Sequence, residues 1–317
     1  MGKTLSLEYP IYKRTPRKSY VNRVKEQIRC RDAYTLGLTG RGVCVAVLDT
    51  GAYPHRDFED RIAGFADVVN HRPGPYDDCG HGTHICGIIG GSGRMSGGRY
   101  SGIAPGCDLV MVKVLDRKGN GYSSDVLAGI SWILERKEKL GIRILNISVG
   151  ACSKRGMSEN SALVKGVNRA WDAGLVVVVA AGNNGPRTMS ITTPGISRKV
   201  ITVGCSDDDR EVLVGGNRMV DYSGRGPTAA CICKPDLVAP GCSVVSCSSR
   251  ADKYTIKSGT SMSTPIVSGA VALLLERFPD MTNKDVKLRL RESSVDIGLP
   301  RNQQGWGLLD VGKMIGK

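Results

Sequence analysis

Short apolar runs rich in valine, isoleucine and leucine recur along the chain, and segments of helical character separate them. The runs show little alternation of apolar and polar positions, which is typical of strands buried on both faces of a parallel sheet. Strands are predicted at residues 43–48, 108–114, 143–148, 175–180 and 199–204, with a loop-rich strand segment at 234–248. Helices are predicted at residues 85–89, 123–139, 158–173, 266–275 and 283–291. This alternation predicts an α/β fold, a mostly parallel sheet with helices on both faces.

The first 38 residues differ in character from the rest of the chain. They are basic and weakly patterned, with a short helix predicted at residues 21–35, and the strongly patterned part begins after Thr39 and Gly40. No internal repeat or low-complexity linker divides the remainder. We therefore expect a basic N-terminal extension over residues 1–38 and a single domain over residues 39–317. A domain of this size buries a large core without disulfides or metal ions.

Composition restricts the class of protein further. The formal charge of the 317 residues is +14, but no zinc-finger, helix-turn-helix or RNA-binding signature accompanies it, so we expect a solvated basic surface and no nucleic-acid partner. Eleven scattered cysteines, an odd number, suggest reduced thiols and a cytoplasmic location. Four histidines and no zinc-like spacing argue against a zinc site. No signal peptide and no membrane-spanning run are apparent, so no membrane partner is expected.

Three polar residues lie at positions where α/β proteins commonly have their catalytic or binding sites. Asp49 ends the first predicted strand, and His81 and Ser261 each stand at the start of a predicted helix. Each alone has an ordinary explanation, since aspartate and serine cap helices and turns and a histidine is common in loops. Together they have the types needed for nucleophilic catalysis, in which a base activates a hydroxyl and a carboxylate orients the base. The order Asp, His, Ser is one of the known triad orders.

Four sequence blocks carry a resemblance to a known family. Residues 47–51 (VLDTG), 81–84 (HGTH), 180–185 (AAGNNG) and 259–265 (GTSMSTP) resemble the signature blocks of the subtilisin-like serine proteases, the subtilases, and the similarity extends over residues 40–309. The resemblance implies the three-layer subtilisin-like fold and a serine endopeptidase acting on protein or peptide substrates through an acyl-enzyme. The alternative is a catalytically silent subtilase-fold protein that binds or regulates partners.

The resemblance also assigns roles to individual residues. It implies that Asp49 orients the base, that His81 is the base, that Ser261 is the nucleophile, and that Asn183 donates to the oxyanion. Substrate-binding positions would be Gly119, Gly121, Ser148, Val149, Gly150, Ala180, Ala181 and Gly182, some of them pairing with an extended peptide. Thr192 stands near the floor of the first specificity pocket, where many relatives have glycine, and is expected to narrow it.

Two departures from the family pattern affect cofactors and regulation. Residues 92–101 lack the asparagine-rich calcium-binding pattern of secreted relatives; Asp57 remains one candidate oxygen ligand, no complete calcium site is recognisable, and the chemistry needs no cofactor. As in intracellular bacterial members, the N-terminal extension is short. Residues 1 to about 25, with the apolar segment 5–11, are therefore either a short inhibitory pro-segment removed during activation or a disordered basic tail. Cys79 and Cys86 flank His81 and are expected to be inert.

Overall fold

The computed structural model describes residues 4–6, 11–12, 20–150, 159–214 and 217–317. In these ranges the α-helices are α1 (Tyr20–Gln27), α2 (Cys30–Tyr34), α3 (His81–Gly90), α4 (Ser123–Arg136), α5 (Ala162–Asp172), α6 (Thr260–Arg277), α7 (Asn283–Ser293), α8 (Arg301–Gln304) and α9 (Val311–Met314). No helix among the described residues has the length and apolar character needed to cross a membrane.

The strands of the described residues form one large sheet and three small ones. They are β1 (Thr4–Ser6), β2 (Ile11–Tyr12), β3 (Cys44–Asp49), β4 (Ile62–Asp67), β5 (Asp108–Lys113), β6 (Asn120–Tyr122), β7 (Ile142–Ile147), β8 (Val176–Ala180), β9 (Ile201–Cys205), β10 (Val212–Val214), β11 (Asn217–Met219), β12 (Leu237–Ala239), β13 (Val244–Cys247) and β14 (Tyr254–Lys257). The seven-stranded sheet has the order β12-β9-β8-β7-β3-β5-β4, and all its neighbours are parallel. The predicted α/β architecture with a parallel central sheet is confirmed.

The apolar runs form the centre of this sheet because they are covered on both faces. Every residue of β3 and β8 is buried. Helices α3 and α6 pack on each other and on the sheet, and α4 and α5 form a second packed pair. Helix α6 is apolar on all sides and is buried from Thr260 to Leu275, as expected of a helix in the interior of a large domain.

The topology gathers one set of strand and helix ends at a single edge. Strand β3 lies between β5 and β7. After β3 the chain first forms β4 and β5 on one side of it and then crosses to β7 on the other side, so the strand order reverses beside β3. A crevice forms at the carboxyl ends of the strands at such a switch point, which is where ligands bind in open α/β sheets. Asp49 is the last residue of β3, and β7 and β8 end just before Ser148 and Ala181.

The segment before β3 belongs in part to the same core. Val24, Ile28, Cys30 and Ala33 are buried and lie in the main hydrophobic cluster. The helix predicted at residues 21–35 is two helices, because Arg29 between them adopts a left-handed backbone with φ 55°. The domain boundary at residue 38 stays a prediction.

Two further differences from the predicted elements have clear causes. Strand β4 is absent from the sequence prediction because it is a partly exposed edge strand without a continuous apolar run. The helix predicted at residues 158–173 begins at Ala162, and Ser161 caps it by accepting a hydrogen bond from the Val164 N–H; the predicted start at residue 158 lies outside the described residues.

Candidate active site

Asp49 and His81 form a buried hydrogen-bonded pair. His81 Nδ1 lies 2.7 Å from Asp49 Oδ1, and the side chains are 3% and 0% exposed. A carboxylate can only accept, so Nδ1 carries the proton of this bond. In the neutral imidazole the other ring nitrogen, Nε2, is then a proton acceptor. The backbone N–H of Thr50 donates to the same Oδ1 at 2.8 Å and fixes the carboxylate further.

Ser261 is the second residue of α6. Gly259 precedes the helix with φ 134°, a backbone conformation that residues with a Cβ rarely adopt. The first N–H groups of a helix have no intrahelical partner, so this region is a favourable place for a developing negative charge. The hydroxyl of Ser261 donates to the carbonyl of Ser148 at 2.9 Å. Helix α6 packs against α3, the helix that His81 begins.

Asn183 lies beside the start of α6 with its orientation fixed. Its Oδ1 accepts hydrogen bonds from the backbone N–H and the hydroxyl of Thr260, at 3.0 and 3.1 Å. The amide nitrogen is therefore on the other side, and a Cβ added to Gly259 would lie 3.3 Å from it. The side-chain amide of Asn183 is therefore fixed through its oxygen, and its role as an oxyanion donor stays a prediction.

The predicted peptide-binding glycines are buried and lie beside or in the short strand β6. Gly119 has φ 77°, and Gly121 lies in β6, where a Cβ would meet the Val114 carbonyl oxygen at 2.5 Å. Strand β6 pairs in antiparallel register with β1 of the same chain, with Leu5 opposite Gly121. The edge of β6 is therefore able to accept an extended backbone, and the N-terminal segment occupies it.

Three of the other predicted substrate residues, Gly150, Ala181 and Gly182, lie close to one side chain, that of Thr192. Ser148, Val149 and Gly150 follow β7, and Ala180, Ala181 and Gly182 end β8 and continue beyond it. A Cβ on Gly150 or on Gly182 would lie 2.4 Å from atoms of the Thr192 side chain. The Thr192 hydroxyl donates to the Ala181 carbonyl at 3.3 Å. The threonine thus lies between the two glycines, and the narrowing of the first specificity pocket stays a prediction.

Sequence reasoning missed a polar network behind these walls. Ser268 on α6 donates to Asn146 Oδ1 at 2.8 Å, and Asn146 Nδ2 donates to the Ser148 hydroxyl at 3.0 Å. All three side chains are buried. The signal was available, because Asn146 and Ser268 interrupt otherwise apolar runs and buried polar groups need partners.

Asp77 and Thr50 were also assigned no role from the sequence, although Thr50 belongs to the block around Asp49 and Asp77 stands four residues before His81. In the structure the Thr50 hydroxyl donates to Asp77 at 3.0 Å and accepts the Gly82 N–H at 2.9 Å. These contacts join the end of β3 to the start of α3, the two elements that carry Asp49 and His81.

The residues around Asp57 do not fit a calcium site. Asp57 Oδ1 accepts the Met95 N–H at 2.9 Å, and Oδ2 accepts the Tyr254 hydroxyl at 2.7 Å. The ligand atoms nearest to Asp57 that could join it around an ion belong to His55 and Cys247. Calcium requires six to eight oxygen ligands, and a ring nitrogen and a thiol are poor substitutes. Burial also raises the pKa of the Cys247 thiol well above its usual value, which keeps it protonated.

Burial governs the charge state of other groups near the site. It raises the pKa of Cys86 well above the usual thiol value, so this residue is a neutral thiol, as expected from the sequence. It lowers the pKa of His84 well below the usual histidine value, and that ring is neutral. Cys79 is partly exposed, and each cysteine among the described residues is a free thiol.

The fold and the site define a class of α/β protein in which a buried aspartate–histidine pair joins a strand of the parallel sheet to α3, and a serine lies at the start of the buried helix α6. The family model of the subtilases matches residues 40–307, and the chain belongs to the subtilase family.

Several relatives of the chain are proteases by name, in agreement with its membership of the subtilase family. The chain is 44% identical over 274 residues to serine protease AprX of Bacillus subtilis (strain 168), covering 81% of this chain and 62% of AprX. It is 36% identical over 286 residues to a thermostable alkaline protease of Halalkalibacterium halodurans, covering 90% of this chain and 71% of the relative. It is 34% identical over 285 residues to subtilisin Savinase of Lederbergia lenta, covering 90% and 95%. The chain thus spans less than two thirds of AprX.

A solved structure gives the same result for the fold. A cold-adapted subtilisin-like serine proteinase superimposes with a TM-score of 0.70 at 30% identity, covering 86% of this chain and 90% of that one. The subtilisin-like fold expected from the sequence is confirmed.

Proposed function

We propose that this protein is a serine endopeptidase in which Asp49, His81 and Ser261 form the catalytic triad. The observation that carries the proposal is the 2.7 Å bond between His81 Nδ1 and Asp49 Oδ1, which leaves Nε2 to act as the base. Membership of the subtilase family and the serine proteases among its relatives support the same conclusion.

In the first half-reaction His81 Nε2 takes the proton of Ser261 Oγ, which attacks the carbonyl carbon of the scissile peptide bond. A hydroxyl has one proton, so its present bond to the Ser148 carbonyl is exchanged for a bond to His81. Asn183 Nδ2 and the Ser261 N–H donate to the tetrahedral oxyanion. The C–N bond then breaks, and the amine leaves with the proton carried by His81, which gives the acyl-enzyme.

In the second half-reaction water replaces the amine. His81 removes a proton from the water as its oxygen attacks the ester carbonyl, and the same donors stabilise the second oxyanion. The ester C–O bond breaks, Ser261 Oγ recovers its proton from His81, and the new carboxyl terminus leaves. Asp49 stays ionised throughout and stabilises the imidazolium form of His81.

A fluorophosphonate probe tests the proposal because it reacts with an activated serine. We expect the chain without residues 1–18 to be labelled, and Ser261→Ala and His81→Ala in that chain to lose labelling while they keep its far-UV circular dichroism. Ser263→Ala is the matched control, since its hydroxyl lies two residues away and donates to the Ala239 carbonyl. A folded chain that is not labelled even without residues 1–18 would favour the alternative, a catalytically silent subtilase-fold binding or regulatory protein.

We also propose that residues 1–18 inhibit the enzyme by occupying the substrate edge. Strand β1 pairs with β6, and β2 pairs with β14, which ends at Lys257, four residues before Ser261. Addition of a strand to a sheet edge is a general mode of peptide binding. Residues 7–10, the remainder of the apolar segment named above, lie outside the described residues.

The inhibitory segment we propose is shorter than the 25 residues expected from the sequence. Arg23 pairs with Asp207 at 2.8 Å and donates to the Cys242 carbonyl at 2.7 Å. Val24 is buried in the core. Removal of these residues would damage the fold, so a deletion that tests inhibition must end before α1.

A further inference from the structure

Thr50, the residue after Asp49, is fully buried and has each of its polar groups engaged. Its N–H donates to Asp49 Oδ1, the oxygen that also binds His81 Nδ1. Its carbonyl oxygen accepts a hydrogen bond of 2.7 Å from the ammonium group of Lys113. Its hydroxyl accepts the Gly82 N–H at 2.9 Å and donates to Asp77. Thr50 therefore connects the carboxylate of the catalytic pair with the residue that follows the histidine.

Asp77 holds the other end of this connection. Its Oδ1 accepts the Thr50 hydroxyl at 3.0 Å and the N–H groups of Cys79 and Gly80 at 3.0 and 2.7 Å. Its Oδ2 accepts the N–H and the hydroxyl of Thr83 at 2.9 and 2.6 Å. These bonds fix the turn that leads into α3 and its first residues, where His81 lies. A carboxylate at this place is also stabilised by the helix dipole.

Lys113 supports Thr50 from the opposite side. Its ammonium is fully buried and donates to the carbonyls of Thr50 and Leu115 and to the carboxylate of Asp78, at 2.7 to 2.8 Å. Lys113 also lies opposite Asp49 in the β3–β5 register. Thr50 is thus held between the buried ammonium of Lys113 and the half-buried carboxylate of Asp77, and it has little freedom to move.

We propose that Asp77 and Thr50 are positioning residues that set the geometry of the Asp49–His81 pair. The two members of the pair lie on different elements, β3 and α3, and the Asp77–Thr50–Gly82 bonds join those elements beside the pair. The inference rests on the proposed function, because it assigns a task only if this pair is catalytic. A displacement of about 1 Å in a catalytic group costs about 10²-fold in rate, which sets the scale of the expected effect.

Substitutions at Thr50 separate positioning from packing. Thr50→Val keeps the shape and removes the hydroxyl, so we expect kcat on a peptide anilide to fall about 10- to 100-fold while KM changes less than about twofold. Thr50→Ser keeps the hydroxyl and should retain kcat near that of the parent. Asp77→Asn cannot accept both Thr83 bonds on its nitrogen, and we expect a similar loss of kcat. All variants are compared in the full chain and in the chain without residues 1–18.

Asp285→Asn is the matched control for the loss of a helix-capping carboxylate. Asp285 Oδ2 accepts the N–H and the hydroxyl of Thr282 at the start of α7, in the manner in which Asp77 Oδ2 serves Thr83. We expect this control to lower the melting temperature and to leave kcat unchanged. A role of Asp77 limited to helix capping would give both carboxylate variants the same kinetic behaviour, and that result would overturn the proposal.

The remaining outcomes are also decisive. Two results would overturn the positioning proposal alone, provided that the parent hydrolyses the substrate and is labelled by the fluorophosphonate. One is a kcat of Thr50→Val that equals that of the parent. The other is an equal loss of kcat in Thr50→Val and in Thr50→Ser. A parent that neither hydrolyses the substrate nor is labelled, with or without residues 1–18, would overturn the proposed function and this inference together. If Thr50→Val does not fold, Asp77→Asn decides, and parent-like kcat in that variant would overturn the proposal.

Discussion

Thr260 holds Asn183 by the oxygen of its side-chain amide. The backbone N–H and the hydroxyl of Thr260 both donate to Asn183 Oδ1, and Thr260 also accepts the Gly182 N–H at 3.2 Å through its hydroxyl. Thr260 is fully buried, so these bonds do not compete with bulk water. The side-chain amide of Asn183 is thereby fixed beside Thr260, the residue that precedes Ser261 in α6.

Removal of the amide should reduce turnover with little effect on substrate binding. We expect Asn183→Ala to lower kcat by about 10²- to 10³-fold, because the donor acts on the oxyanion and not on the ground-state peptide. KM should stay within about twofold of the parent value. Steady-state kinetics on a peptide anilide checks this, and a change confined to KM would contradict the oxyanion role.

Loss of the Thr260 hydroxyl should have a smaller effect of the same kind. Thr260→Val removes one of the two bonds to Asn183 Oδ1, and a buried hydrogen bond is worth about 1 kcal/mol, so kcat should fall roughly 5- to 10-fold. Thr264→Val is the control, since the Thr264 hydroxyl donates to the Thr260 carbonyl one turn later in α6. Equal losses in both variants would indicate a general perturbation of the helix.

Shortening Thr192 should widen the first specificity pocket. The Thr192 side chain lies between Gly150 and Gly182. We therefore expect Thr192→Ala and Thr192→Gly to raise, by about tenfold, the ratio of kcat/KM for a peptide with a large residue before the scissile bond to kcat/KM for a peptide with alanine there. A peptide series that varies only this residue measures the ratio. Ser190→Ala, two residues earlier, is the control, and an unchanged ratio in the Thr192 variants would mean that the threonine does not limit the pocket.

Deletion of residues 1–18 should raise the initial rate of peptide hydrolysis. The deletion frees the edge strand β6 from β1 and leaves α1 with its Arg23–Asp207 pair intact. A chain in which the same 18 positions carry a glycine–serine sequence is the control, and it should match the deletion. If the parent, the deletion and the control hydrolyse the peptide at the same rate, residues 1–18 do not inhibit.

Lys25 should make stability depend on pH above neutrality. Burial lowers its pKa from 10.5 to about 8, although the ammonium donates to Ser101 Oγ at 2.7 Å and lies 5.0 Å from the centre of the Tyr34 ring. Between those two pH values the native state has released the proton and the unfolded chain retains it. The free energy of unfolding therefore rises with pH over this range, while the cost of burying the charge is present in full below pH 8.

Denaturant unfolding in a Ser261→Ala background, which prevents self-digestion, measures this dependence. We expect the parent to gain about 2 kcal/mol relative to Lys25→Met between pH 8 and pH 10. Lys118→Met, at an exposed position, is the control and should show no comparable gain. A difference between parent and Lys25→Met that stays constant with pH would contradict the prediction.

Much of the fold could be predicted because its signals are local. The run that became β3 is apolar throughout, since both faces of a central parallel strand are covered, and the sequence therefore predicts it to within a residue. Strand β4 and the break at Arg29 were missed for the opposite reason. A half-exposed edge strand and a single left-handed residue leave no periodic pattern in the sequence.

The sequence by itself determined the fold class, the family and the residue types of the candidate triad, because short blocks around Asp49, His81, Asn183 and Ser261 encode them. Only the tertiary structure decided how these groups are held. The bonds from Thr50 to Asp77 and from Thr260 to Asn183 join residues 27 and 77 positions apart in the chain. No spacing rule connects such residues, since their contact exists only after the parallel strands and the two helices pack together.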